Sequence, residues 1–269
     1  AEGDPETYQV PLAAAAAAAE GEGALARVEI GDRTVILVVA LKDRSFCALL
    51  LAGTAARRRF PGRSGGIHAW PAGAFDSIRD GGGSRLETTL MDREQSNTSI
   101  LYGDRLILKL FRRIQPGLNP DFEIGRHLTE RTTFTRVPAV TGAFEYVLPA
   151  EGSTTIAMMQ QLIEAQGDGW AHATGEVARF LEELGTAAPC EVPRAASFGE
   201  LMAMPIPPCM SAAGGGYVAT AEKLGRRTAE LHVALAGDVS VAGFAPETYS
   251  KEDLPKQTAA ALAQAEKAL

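Results

Sequence analysis

Fourteen positions separate Lys109 from Glu123, and both charges are set among apolar neighbours. Lys109 belongs to the run Arg105–Phe111, which reads as a strand. Leu106, Leu108 and Leu110 face one side of it, and Ile107, Lys109 and Phe111 the other. Taken alone, such a lysine is a solvated charge on an exposed sheet face. Glu123 follows Pro116-Gly117-Leu118-Asn119-Pro120, where Asn119 is a good N-cap and Pro120 suits the first helical position. On that helix Ile124 and Leu128 share one stripe, and Glu123 and His127 another. A strand ammonium oriented by a helical carboxylate is suited to gripping phosphate oxygens. Ser96, Asn97 and Thr98, in the polar run Glu94–Thr98, add backbone N–H groups and side-chain donors that phosphate oxygens accept from, with no glycine in the run. Two other groups compete for attention. Asp80-Gly81-Gly82-Gly83-Ser84 is glycine-rich but lacks the Gly-Lys-Ser/Thr entry into a helix, so it reads as a flexible connector. Arg57-Arg58-Arg59 reads as a solvated loop edge.

The elements that must position these groups follow from pattern and punctuation. Leu25–Ile30, the turn Gly31-Asp32 and the β-branched Val35–Leu41 read as strand, turn and strand. A second turn at 42–45 leads to the apolar Phe46–Ala52, also read as strand, making an antiparallel hairpin or meander. Ile67–Arg79 is ambiguous. Leu86–Arg93 reads as a strand, Glu94–Thr98 as a turn, Ser99–Tyr102 as the returning strand, and Gly103-Asp104 as the next turn. Helical spacing covers 171–184, where Val177, Phe180, Leu181 and Leu184 form a stripe. It covers 218–236 as well, through Leu224, Thr228, Leu231 and Leu235, and starts again at 254–269. Residues 189–216, rich in Pro, Gly, Ala and Met, read as a long loop. Met158 and Met159 alternate to opposite faces, so at least one is a core residue.

Composition excludes more than it assigns. The 269 residues are 46% hydrophobic and 22% charged, close to the globular average, which rules out a collagen-like or wholly disordered chain. A net charge of −7 leaves no dominant basic face for a nucleic acid. Three widely spaced cysteines, Cys47, Cys190 and Cys209, fit reduced thiols better than a disulfide framework or zinc site. The apolar runs are far shorter than the ~18–20 residues of a membrane span, and Ala13–Ala19 lacks the basic leader of a signal peptide. No membrane partner and a cytoplasmic location are therefore expected.

The Lys109 and Glu123 spacing resembles the strand-lysine and helix-glutamate pair of the protein-kinase-like fold. More specifically, Glu94–Ser99, Leu106–Arg113 and Asn119–Gly125 resemble the bacterial maltokinase family, whose members stand alone or are fused behind a trehalose synthase. The likeness extends through Ile156–Trp170 and into Leu224–Leu235, with Arg227-Thr228-Ala229-Glu230-Leu231-His232. It is looser over 1–90, where Glu6-Thr7-Tyr8 and Pro11-Leu12 are the clearest echoes. The resemblance implies an α+β fold. Its parts would be a β-rich cap (1–90), a kinase-like, aminoglycoside-phosphotransferase-like nucleotide lobe with an antiparallel sheet and one helix (91–166), and the first helices of a C-terminal lobe (167–269).

By the same resemblance the activity would be ATP-dependent phosphorylation of maltose to maltose 1-phosphate, with Mg²⁺, and with a fused or associated trehalose synthase as partner. Lys109 would bind the α- and β-phosphates and Glu123 would orient it. Ser96, Asn97, Thr98 and Ser99 would cover the phosphates. Ile156–Gln161 and Leu162-Ile163 would form the adenine wall and hinge, with Gln161 and Ile163 at the base. The family's His-Gly-Asp-x-His catalytic loop and Asp-Phe-Glu metal motif occur nowhere in these 269 residues. The chain is therefore expected to be the N-terminal portion of such an enzyme, inactive alone, with catalytic residues and metal ligands elsewhere. A sugar kinase with another acceptor, such as an amino sugar, and a non-catalytic nucleotide-binding or docking module are the alternatives.

Overall fold

The computed structural model describes residues 5–16, 24–81, 86–91, 97–150, 152–186 and 194–268. The fold is α+β, with three antiparallel sheets among the described residues and a set of helices towards the C-terminal end. A small sheet is made by β2 (Leu12–Ala16), β3 (Ala24–Ile30) and β4 (Arg33–Val39), in the order β2-β4-β3. Gly31 turns β3 into β4 with φ 60°, a conformation glycine adopts without a Cβ penalty. The alanines of β2 pair with the β-branched β4, Ala13 opposite Val38 and Ala15 opposite Ile36, so tertiary pairing overrides their helix propensity.

The expected strand Phe46–Ala52 is instead the heart of α1 (Arg44–Ala55). Asp43 caps it, its carboxylate accepting from Ser45 N at 2.8 Å. A continuous apolar run fits a buried strand or a buried helix equally well, and here the cap decides. The ambiguous 67–79 stretch divides into β6 (Gly66–Pro71) and α2 (Phe75–Asp80).

The main sheet has seven antiparallel strands. β5 (Arg59–Pro61) and β6 are joined by β7 (Thr88–Met91), β8 (Asn97–Tyr102), β9 (Leu106–Phe111), β11 (Val140–Leu148) and β12 (Gly152–Gln161), in the order β5-β6-β11-β12-β9-β8-β7. This one sheet runs through position 90, joining strands on either side of it. A two-stranded ribbon pairs β1 (Thr7–Tyr8) with β10 (Arg113–Ile114), bringing the N-terminal segment to the end of β9. The glycine-rich connector at 82–84 lies outside the described residues.

Each sheet face has its own core. Leu106, Leu108, Leu110, Tyr102, Ile100 and Met159 pack with Cys47 and Phe75 beneath α1 and α2. Tyr102 is fully buried and its hydroxyl donates to the Cys47 carbonyl at 2.9 Å. On the opposite face Phe111, Val140, Ala143 and Met158 pack against Phe122 of α3 (Pro120–Arg131). Met158 and Met159 thus fall on opposite faces, both buried. A Cβ at Gly125 would lie 2.8 Å from Val140, so only glycine lets α3 approach the sheet this closely. Thr129 Oγ1 ties the helix to β11 by accepting from Val140 N at 2.9 Å.

Beyond the sheet come α4 (Gly169–Thr186), α5 (Phe198–Ala203), α6 (Pro208–Ala236) and α7 (Asp253–Ala268). The expected loop 189–216 is in fact largely helical where it is described. Ser197 caps α5 by accepting from Glu200 N, and Pro208 opens α6 at the first position. The glycines at 214–216 are carried inside α6 despite a cost of about 1 kcal/mol each relative to alanine. The apolar stripes are not enclosed as the pattern suggests, since Val177, Leu181 and Leu224 are all exposed. No helix among the described residues is long and apolar enough to cross a membrane.

Candidate functional site

Register across the main sheet builds one row of side chains on a single face. Met91, Ser99, Lys109, Met158, Ala143 and Trp70 are successive cross-strand partners on β7, β8, β9, β12, β11 and β6. Lys109 is the lone charged member of that row. To one side lies Ser99, wholly buried, and to the other Met158, covered by Phe122 of α3. The lysine is therefore half-buried, on the sheet face that α3 packs against. Among the described residues its ammonium has no ion pair or hydrogen bond, a poised state for a buried-edge cation.

Glu123 sits directly after the anchor Phe122, and α3 starts as the sequence suggests. Asn119 Oδ1 accepts from Asp121 N at 3.0 Å, and Pro120 occupies the first turn. Trp70 fixes the far end of the row. Its ring meets Phe122 edge-on at 5.5 Å, Arg126 lies over it at 5.1 Å, and its Nε1 donates to Glu145 at 3.0 Å. Glu123 is half-buried, and among the described residues its carboxylate makes no ion pair with Lys109 or any other cation. The structure thus places the two expected partners on packed elements without joining them.

The expected phosphate cover is differently arranged. Asn97 and Thr98 belong to strand β8 rather than to a turn, because they pair with Phe111 and Leu110 in the sheet. Ser96 lies outside the described residues. Asn97 and Ser99 share the face of Lys109, whereas Thr98 points to the other. Arg112, which spacing alone does not mark as functional, holds this corner. Its Nε donates to Thr98 Oγ1 at 3.1 Å and its Nη2 to the Asn97 carbonyl at 2.7 Å. A basic residue just past a strand end, beside a neighbouring strand's polar start, is the signal that could have found it. The N-terminal segment joins it there, Gln9 N donating to the Arg112 carbonyl at 2.8 Å.

At the other end of the strand pair, Gln161 N donates to the Ala139 carbonyl at 2.8 Å and Leu162 N to the Arg105 carbonyl at 2.7 Å. Gln161 is the last residue of β12 and its backbone N–H is already used. Ile163 lies beyond the sheet, half exposed, and its N–H makes no hydrogen bond among the described residues. The open N–H of Ile163 is the group here that could donate to a heterocyclic base, and the Lys109 ammonium the one that could meet phosphate oxygens. Mg²⁺ finds no such fit, since no three His, Cys, Asp or Glu side chains cluster among the described residues.

His127 is a further residue that spacing undervalues. It is 4% exposed, its Nε2 has no partner, and its ring stacks on Phe244 at 3.7 Å and 11°. Beside it a cavity of about 270 Å³ is lined by Glu123, Arg126, Glu130, Val241 and Phe244.

No protein-family model matches the sequence. Two solved structures of glucosamine kinase are similar to the chain. One, in complex with glucosamine, ADP and inorganic phosphate, is 21% identical with a TM-score of 0.44, over 81% of this chain and 43% of that one. The other, a second crystal form, is 22% identical with a TM-score of 0.44, over 85% of this chain and 47% of that one. The chain spans less than half the length of either.

Proposed function

We propose that the chain carries the nucleotide-binding part of an ATP-dependent sugar kinase, with maltose as the acceptor. The observation that supports this reading is the row through Lys109: a half-buried ammonium, unpaired among the described residues, on the sheet face that α3, the helix carrying Glu123, packs against. In this reading Lys109 binds the α- and β-phosphate oxygens, where charge-assisted hydrogen bonds are strongest. Glu123 swings to Lys109 and fixes its direction once phosphate is bound. Ser96 and Asn97 flank the phosphates, Asn97 being steadied through Arg112, with Thr98 serving as the anchor for Arg112 and Ser99 packing beside Lys109. The Ile163 N–H donates to the base while the end of β12 at Gln161 supports it.

Phosphoryl transfer needs a base and charge neutralisation as well as positioning. The sequence holds no His-Gly-Asp-x-His segment, so the 269-residue chain is proposed to bind ATP and ADP without phosphorylating sugar, the rest of the activity and any association with a trehalose synthase belonging to the whole protein. The test is titration of ADP into the chain, with a coupled ADP-release assay containing ATP, Mg²⁺ and either maltose or glucosamine. ADP binding without turnover is expected. Turnover of ~1 s⁻¹ or more would refute the division of labour, and turnover with glucosamine but not maltose would replace the acceptor.

A further inference from the structure

We propose that the cavity on the sheet face opposite Lys109 is a binding site for an uncharged aromatic molecule of about two fused rings. The site is separate from the nucleotide reading above and does not depend on it.

The cavity measures about 340 Å³ and lies between the main sheet, α1 and the N-terminal segment 9–11. Leu108 and Leu110, which flank Lys109 along β9, supply part of its lining. A bulge in β12 supplies more. Ala157 pairs with Phe144 and Thr155 with Glu145, which leaves Ile156 between them without a partner on β11. Ile156 and Ala157 therefore both line the cavity, where regular alternation would send them to opposite faces. Phe46 and Leu50 come from α1, and Phe60 from β5. The N-terminal wall is tied down on both sides, by Gln9 N to the Arg112 carbonyl at 2.8 Å and by Ala40 N to the Pro11 carbonyl at 3.0 Å. Val10 and Leu49 line the cavity and are also exposed, which puts its entrance beside them.

The lining selects the ligand. Protein interiors leave few voids larger than a water molecule, so a cavity of this size is room for a guest. Apolar cavities of ~150 Å³ lined by Leu, Ile and Phe stay dry and accept benzene, and this one has about twice that volume. Among the described residues that line it, Gln9 is the one polar side chain. Its amide nitrogen, directed at the sheet, donates to the Ile156 carbonyl at 3.0 Å. No charged side chain is among those lining residues, so a carboxylate or ammonium taken inside would go unpaired. The rings of Phe46, Phe60 and Phe144 offer faces and edges that favour an aromatic guest over an aliphatic one.

Naphthalene is the probe, titrated into the whole chain and followed by its fluorescence. Saturable binding with a Kd of ~100 μM or tighter is expected. The same rings carrying a carboxylate, 1-naphthoate, should bind at least about tenfold more weakly. Nuclear Overhauser contacts should run from the bound rings to the methyl groups of Ile156 and Leu110. Ala157→Leu, which fills the cavity, should weaken naphthalene binding at least about tenfold in a chain that still unfolds cooperatively. Four results would each overturn the proposal: no saturation, equal binding of 1-naphthoate, undiminished binding in folded Ala157→Leu, or Overhauser contacts confined to other side chains. Should Ala157→Leu fail to fold, the Overhauser contacts in the unmodified chain decide the matter.

Discussion

The main sheet and the C-terminal helices handle the same apolar residue types in opposite ways. In the sheet the central apolar positions have a layer to meet on either face. Leu106, Leu108 and Met159 are enclosed beneath α1 and α2, while Phe111 and Met158 lie beneath α3. In the helices Trp170 is 80% exposed and Val233 73%, and α4 and α6 chiefly touch each other, as in the His172–Tyr217 ring contact at 6.1 Å. A helix stripe is a demand for a partner, not a guarantee of one. Stability therefore resides in the sheet, which also carries the unpaired lysine. The helices add little to the core and meet α3 through α6 and the turn that follows it.

Truncation in the two regions sharpens that contrast most. Phe122→Ala, which empties the space between α3 and the Lys109 face, is expected to cost ~3–5 kcal/mol in urea denaturation. Trp170→Ala and Leu224→Ala are expected to stay within about 0.5 kcal/mol. A large loss at Trp170 would break the comparison. Tyr102→Phe, which removes the hydroxyl's bond to a Cys47 carbonyl that keeps its place in α1, should cost ~0.5–1.5 kcal/mol. Asn119→Ala removes the cap of α3 and should cost ~1 kcal/mol.

Titration sets the regions apart by a smaller effect. Burial, with Asp43 adding to it, pushes the Cys47 thiol up, so it resists ionisation. Its contribution is present below the ordinary thiol range and is lost as pH rises through that range towards the raised value. Slow alkylation of Cys47 in the folded chain, accelerating with urea, checks its burial. In the helical region the Ser240 hydroxyl, with Arg131 and His127 assisting, holds the Asp238 carboxyl below the usual range. Ser250 does the same for Asp253. Those contributions are present above the ordinary carboxylate range and are lost as pH falls through the lowered values. A pH-scanned exchange experiment on α3 should show the Arg131–Asp238 contact surviving mild acid.

What was legible in the sequence was local. Alternation along 106–111 placed Lys109 opposite the leucines, and the Asn119-Pro120 pair marked the start of α3, because both depend on neighbours a few residues apart. Phe46–Ala52 misled because an uninterrupted apolar run carries no period, and the deciding signal was the single cap Asp43. Asn97 and Thr98 joined β8 because pairing with β9 outweighed their turn preference. The contacts of Arg112 with 97–98 and of His127 with Phe244 span chain separations that no local pattern encodes. The absence of a Lys109–Glu123 pair is a matter of where a whole helix sits, which spacing cannot report.

The central claim is that Lys109 is a phosphate ligand and not a solvated surface charge. Calorimetric titration of ADP into the chain and into Lys109→Ala tests it most directly, with a denaturation curve on each. The expected result is unchanged folding and at least tenfold weaker binding, since a hydrogen bond to a charged group contributes ~1.5–3 kcal/mol. Equal affinity in two equally folded proteins would contradict it.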